Sequence, residues 1–110
     1  FMDVNPVAPG HALVIPKHHS KDIHETPAEW IGKACAGAGR VARAVQKTVN
    51  PDGINILQAN GPGAKQSVFH LHVHVIPRGP DDGLTMNWEL EPGDMDEIGK
   101  LAGKIAANIT

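Results

Sequence analysis

Apolar residues fall into short runs broken by Pro and Gly, with two longer stretches at helical spacing. Residues 11–15 (HALVI) lie between Pro9-Gly10 and Pro16, which predicts a strand. Before them, Phe1, Met2 and Val4 form another apolar run that closes at Asn5-Pro6. No turn or cap precedes that run, so it reads as the end of a strand entered from an upstream segment, with Val4 facing Leu13. Thr26-Pro27-Ala28-Glu29 has the form of a helix start: Thr26 as cap, Pro27 at the first helical position and Glu29 closing a capping box. Trp30, Ala34, Ala38, Val41, Val45 and Val49 then recur every three or four residues until Asn50-Pro51-Asp52-Gly53 stops the helix.

Residues 54–59 predict a second strand and residues 60–64 a turn. Residues 68–76 alternate most clearly of all, and Pro77 and Gly79-Pro80 should end that strand. Residues 79–93 read as an exposed loop anchored by Trp88. Asp94 to Glu97 repeats the capping pattern, and a final helix follows with Ile98, Leu101, Ile105 and Ile109 on one face. Gly99 and Gly103 weaken it. The order β-β-α-β-β-loop-α predicts one α+β domain over residues 1–110: an antiparallel sheet with a long central helix and a C-terminal helix.

Composition narrows the function. Ten Lys plus Arg stand against twelve Asp plus Glu in 110 residues, a formal net charge of −2. That leaves no basic excess to hold a nucleic-acid backbone. Two Trp, two Phe and no Tyr give few platforms for stacked bases. A single Cys, Cys35, excludes an internal disulfide and reads as a small core residue. No apolar run approaches the ~18 residues of a membrane span, so no membrane partner is expected, and the expected location is the cytoplasm. Seven His is the one abnormal count.

Three of them define the chemistry. In His70-Leu71-His72-Val73-His74-Val75-Ile76 a strand puts the imidazoles on one face, about 6.5–7 Å apart, and Leu71, Val73 and Val75 on the other. Imidazole donates, accepts or attacks near neutral pH, so the cluster handles protons, a metal or a phosphate. A bare solvated face would not need three identical choices. Zinc is a real rival, because two His two apart can share a metal, with His11, His18, His19 or His24 as third ligand. Against it, the strand carries no carboxylate. The segment Asn60-Gly61-Pro62-Gly63-Ala64-Lys65-Gln66-Ser67 leads into the strand, and its Gly residues would let backbone N–H groups approach an anion, with Gln66 and Ser67 as side-chain donors.

His70-Leu-His72-Val-His74-Val-Ile resembles the histidine-triad signature. The match extends to Phe1-Met-Asp3-Val-Asn-Pro, to Pro9-Gly-His11-Ala-Leu-Val-Ile-Pro16-Lys and to the segment from Asn60 to Val68. The resemblance implies a hydrolase or transferase acting at the α-phosphate of nucleoside phosphoramidates, adenylated amines or dinucleoside polyphosphates, with a purine nucleotide as partner. By the same resemblance His72 would be the nucleophile, and His74 would bond phosphate oxygens or assist the leaving group. His70 would orient its neighbours, and His11 would line the pocket. Asp3 and Asn60 would approach the ribose, and Gly61, Gln66 and Ser67 the phosphate. No cofactor would be required. Two other classes remain open, a nucleotide-sensing module without turnover and a zinc-dependent hydrolase.

The sequence also departs from the family pattern. Relatives carry a further N-terminal strand and helix, and in many bacterial members that segment supplies two Cys for a structural zinc. His19 and His70 match the remaining ligands, so such a zinc is expected only with that segment. The DNA-repair branch is disfavoured by the missing basic surface, and the branch with Gln at the third position is excluded by His74. The resemblance further implies a homodimer paired through the long helix and a sheet edge. A second apolar line at Ile31, Cys35 and Ala42, with small residues at Ala36, Gly37 and Gly39, fits a close partner.

Overall fold

The structure, a computed structural model, describes residues 1–85 and 90–110; the expected anchor Trp88 lies outside them. Three antiparallel strands, β1 (Ala12–Val14), β2 (Gly53–Leu57) and β3 (Val73–Arg78), form a sheet in the order β1-β3-β2. Helix α1 (Ala28–Val49) covers one face, and α2 (Met95–Ala106) follows the long loop. The α+β architecture is the one the alternation and helical spacing predict.

The core lies between α1 and the sheet. Ala34, Ala38 and Val45 of α1 meet Ala12, Leu71, Val73 and Val75, with Val14, Val41, Ala42 and Ile54 packed around them. Alanines on the inner face of α1 let it ride close to the sheet. Gly37 belongs to this contact rather than to a dimer face, since a Cβ there would stand 3.0 Å from Val14 Cγ1. Cys35 is exposed, not a core residue.

The helix start differs from the capping box expected. Pro27 is the N-cap and no side chain caps the helix. Thr26 Oγ1 instead donates to the Asp22 carbonyl at 2.6 Å, and Asp22 Oδ1 accepts the amides of His24 and Glu25. Pro27 fixes an extended φ/ψ at the junction, and the hydroxyl is drawn into the preceding turn. Glu29 pairs with Lys33 one turn on. At the other end Asn50 takes the left-handed conformation (φ 47°) and its N–H reaches the Gln46 carbonyl.

The first residues join the sheet at one point. Met2 bridges Ala12, so Leu13 lies opposite Phe1 rather than Val4. The third strand is shorter at its start than residues 68–76. Val14 pairs with Val73, so continuing the ladder would set Leu71 against Pro16, which has no N–H to give. Leu71 N–H bonds the Ser20 carbonyl instead, at 2.8 Å. The strand also runs past Pro77, which pairs with Ile54. β1 has ended by then, so one side of β3 faces no ladder and a residue without N–H is accommodated.

Candidate active site

The alternation does what the sequence predicts. Leu71 and Val75 are fully buried in the core, 2% and 0% exposed. His70, His72 and His74 turn to the other face, where they line a cavity of about 550 Å³ with Asp3, His11, Ser67 and an apolar wall including Phe1, Val4, Val7, Leu13 and Ile15. That volume suits a small organic ligand. His74 is held in β3, whereas His72 lies just before the strand and His70 at the bend that leads into it.

Hydrogen-bond partners decide which nitrogen of each ring carries a proton. His72 Nδ1 lies 2.7 Å from the His70 carbonyl oxygen, which can only accept. The proton is therefore on Nδ1, and Nε2 keeps its lone pair. Among the described residues no buried side-chain nitrogen lacks a partner, so this unpaired Nε2 is open to the cavity although the residue is only 8% exposed. Val7 N–H donates to His11 Nδ1 at 3.2 Å, which puts the His11 proton on Nε2. From there it is given to His74 Nδ1 at 2.9 Å, with Asp3 Oδ2 3.5 Å away. His74 consequently carries its own proton on Nε2. One open lone pair and one open N–H donor now stand on adjacent rings, whose centroids are 4.9 Å apart.

Electrostatics reinforces this arrangement. Burial, above all, and then the neighbouring His72 and His11 push the His74 pKa below the ordinary imidazole value, while Asp3 acts the other way. Neutral His74 is the form that fits a proton on Nε2 alone.

The second ring chain runs outward. His70 Nε2 donates to the Pro16 carbonyl at 3.0 Å, so its Nδ1 accepts from His19 Nδ1 at 2.9 Å. Among the described residues no carboxylate or thiolate joins this pair in a three-ligand group. Asp3, His11 and His74 do bring ligand atoms within 4.8 Å of one another. A metal there would need the His11 Nε2 lone pair, driving the proton to Nδ1 against Val7 N–H, so the donor set fits a metal poorly.

The Gly-rich segment is placed differently from the anion cradle expected. Gly61 takes a positive φ (82°) and a short turn of 3-10 helix spans Pro62–Ala64. The amides of Ala64, Lys65 and Gln66 bond carbonyls inside the loop, and Gly61 N–H bonds Gln66 Oε1. The buried Gln66 amide donates to the carbonyls of Lys21 and Val68. Asn60 accepts from Ile23 N–H and exchanges bonds with Gln58. Asn60, Gly61 and Gln66 thus brace the loop outside the cavity lining, and Ser67 alone of the predicted loop donors reaches it. Sequence reasoning missed Val7, whose amide sets the His11 tautomer; a backbone donor leaves no residue-type signal.

A larger cavity of about 810 Å³ lies at the far end of β2 and β3. Its cationic group, Arg78, is engaged by Asp82, Asn55 and the Leu84 carbonyl, and no His lines it.

A three-stranded sheet backed by one helix, with a histidine cluster on its open face, sets this chain within one class of small α+β proteins. The HIT domain model matches residues 1–81, and the chain belongs to the HIT (histidine-triad) family. It is 40% identical over 110 residues to an adenosine 5'-monophosphoramidase of Saccharomyces cerevisiae, spanning 99% of this chain and 67% of that protein. The crystal structure of a HIT family member from Bacillus subtilis superposes with a TM-score of 0.91 at 34% identity, covering all of this chain and 80% of that one. SMU.412c from Streptococcus mutans superposes with a TM-score of 0.93 at 35% identity, covering all of this chain and 70% of that one. Among the described residues no helix is long and apolar enough to cross a membrane.

Proposed function

We propose that this protein hydrolyses nucleotide conjugates at the α-phosphate, with purine nucleoside phosphoramidates as the preferred class, through a nucleotidyl intermediate on His72. One observation carries the reading: His72 presents an open Nε2 lone pair while its Nδ1–H is held by the His70 carbonyl. In the first displacement Nε2 forms a bond to phosphorus as the phosphorus–nitrogen bond breaks, the nitrogen taking a proton from solvent in the open cavity and leaving as a neutral amine. His74 Nε2–H faces the phosphoryl oxygens, where negative charge grows, and Ser67 lies on the same wall. Water then displaces His72 and restores the ring. Neither displacement requires a cofactor. A relative named for phosphoramidase activity supports the substrate class, and the apolar wall of the cavity supports a purine. The active form in this reading is a homodimer.

The test compares the parent with His72→Ala on adenosine 5'-phosphoramidate. Turnover should fall by about 10³-fold or more, while AMP binding persists. Equal turnover in the two proteins sinks the mechanism, and tight AMP binding by the parent with no turnover makes it a sensing module. Activity that disappears in excess chelator and returns only with Zn²⁺ makes it a zinc enzyme.

A further inference from the structure

His70 and His72 precede β3, so the ladder that holds His74 ends short of them. Their backbone is gripped instead by the turn between β1 and α1. The peptide group joining His70 to Leu71 is one rigid plane, with its C=O and N–H pointing opposite ways. Its N–H donates to the Ser20 carbonyl at 2.8 Å, and its C=O accepts from His72 Nδ1 at 2.7 Å. Ser20 therefore stands one peptide plane away from the ring that presents the open Nε2. Turning that plane would carry the His70 carbonyl off the Nδ1–H and swing the lone pair with it.

Ser20 is itself tied down by its side chain. Ser20 and Thr26 are each 6% exposed and Asp22 is 9% exposed, three buried polar residues that do not line the cavity. Thr26 Oγ1 gives its one proton to the Asp22 carbonyl at 2.6 Å, so it can only accept from Ser20 Oγ, 2.8 Å away. Asp22 Oδ1 takes the amides of His24 and Glu25, and the Asp22 carbonyl also takes Thr26 N–H at 3.1 Å. The turn is thus closed on itself, and it runs directly into α1, which begins at Ala28. Three hydrogen bonds in series join this turn to the nucleophile: Ser20 to Thr26, Leu71 to Ser20, and His72 to His70. Bonds in series polarise one another, so the grip of Ser20 also makes the His70 carbonyl a better acceptor.

We propose that Ser20 is a positioning residue for His72, acting through the His70–Leu71 peptide and locked in place by Thr26. This role rests on the reading of His72 as the group that attacks phosphorus. Because Ser20 lies outside the cavity lining, its loss should slow the attack without weakening binding. Ser20→Ala removes the lock and strands no other buried donor, since Thr26 still gives its proton to Asp22. Thr26→Val removes the same lock from the other side.

The parent and these variants are assayed on adenosine 5'-phosphoramidate, and exchange of the His72 Nδ1–H and the Leu71 amide is followed by NMR. Ser20→Ala and Thr26→Val should each lower kcat about tenfold with KM within about twofold. The double variant should fall no further, because both changes act on one bond. Thr26→Ser keeps a hydroxyl and should hold kcat within about twofold of the parent. In Ser20→Ala both protons should exchange about tenfold faster while the Val75 amide is unchanged. An unaltered kcat in Ser20→Ala overturns the role. So does a loss that Thr26→Ser shares, that multiplies in the double variant, or that brings an equal rise in KM, each the mark of general loosening. A parent that turns over no phosphoramidate refutes the nucleophile reading, and the exchange rates then decide the positioning of the ring by themselves: faster exchange in Ser20→Ala upholds it, and equal rates overturn it.

Discussion

Replacing Gln66 by Ala separates two roles for the loop that leads into the histidines. Its carboxamide makes three hydrogen bonds: Gly61 N–H at 2.9 Å, Lys21 carbonyl at 2.7 Å and Val68 carbonyl at 3.1 Å. Each partner left unsatisfied in a buried site costs about 1–3 kcal/mol. Lys21 and Val68 are exposed residues, so water repairs part of that loss, and a total of about 2–3 kcal/mol follows. At about 4 °C per kcal/mol for a chain of this size, Tm should drop by about 8–12 °C. Gln66→Glu should do no better at pH 7, because a carboxylate oxygen would then face two carbonyls. Differential scanning calorimetry reads the stability, and phosphoramidate turnover at 25 °C, below both transitions, should stay within about threefold of the parent. An unchanged Tm with turnover reduced by about 10²–10³, the loss typical of a missing oxyanion donor, would refute the bracing role and return Gln66 to the phosphate.

Three further outcomes follow from the same geometry. Leu71→Ala empties a fully buried core position behind the site and should cost about 2–5 kcal/mol in urea unfolding; a loss under 1 kcal/mol contradicts the core assignment. Because the folded protein holds the His74 pKa below 6.5, the unfolded chain takes up that proton first as pH falls. His74 therefore costs stability on acidification below about pH 6.5, and in His74→Gln the decline in unfolding free energy from pH 7.5 to 5.5 should be shallower; an equal decline in both proteins contradicts the tautomer scheme. Asp82, whose carboxyl Arg78 holds well below the usual range, also accepts the Gly79 and Leu84 amides, so Asp82→Ala should speed hydrogen exchange at those two amides while that of Val75 stays slow.

The fold was legible where one force dominated. Core burial fixes Leu71, Val73 and Val75 on one face, and that same alternation exposes the histidines together, so the triad and the α+β class follow from spacing alone. Boundaries failed where backbone donors decide: Pro16 stops β1 and with it the ladder at His72, while Pro77 is tolerated because β1 is already gone. The loop misled for another reason. Its Gly and polar residues suit an anion cradle and an internally bonded turn equally well, and only in the folded chain does Gln66 tie Gly61 to the Lys21 and Val68 carbonyls. The reach of α2 away from the core leaves no mark in a periodicity that any surface helix would share.

The central claim is that phosphorus is transferred to Nε2 of His72, and trapping the intermediate tests it most directly. The protein is mixed with adenosine 5'-phosphoramidate, quenched within milliseconds in mild base to preserve an acid-labile phosphorus–nitrogen bond, digested and read by peptide mass spectrometry. The account predicts one adenylyl group on the peptide containing residues 70–76, fragment ions placing it on His72, and its absence from the His72→Ala protein. Rapid turnover with no covalent adduct at any quench time, or an adduct on His70 or His74 instead, would contradict it.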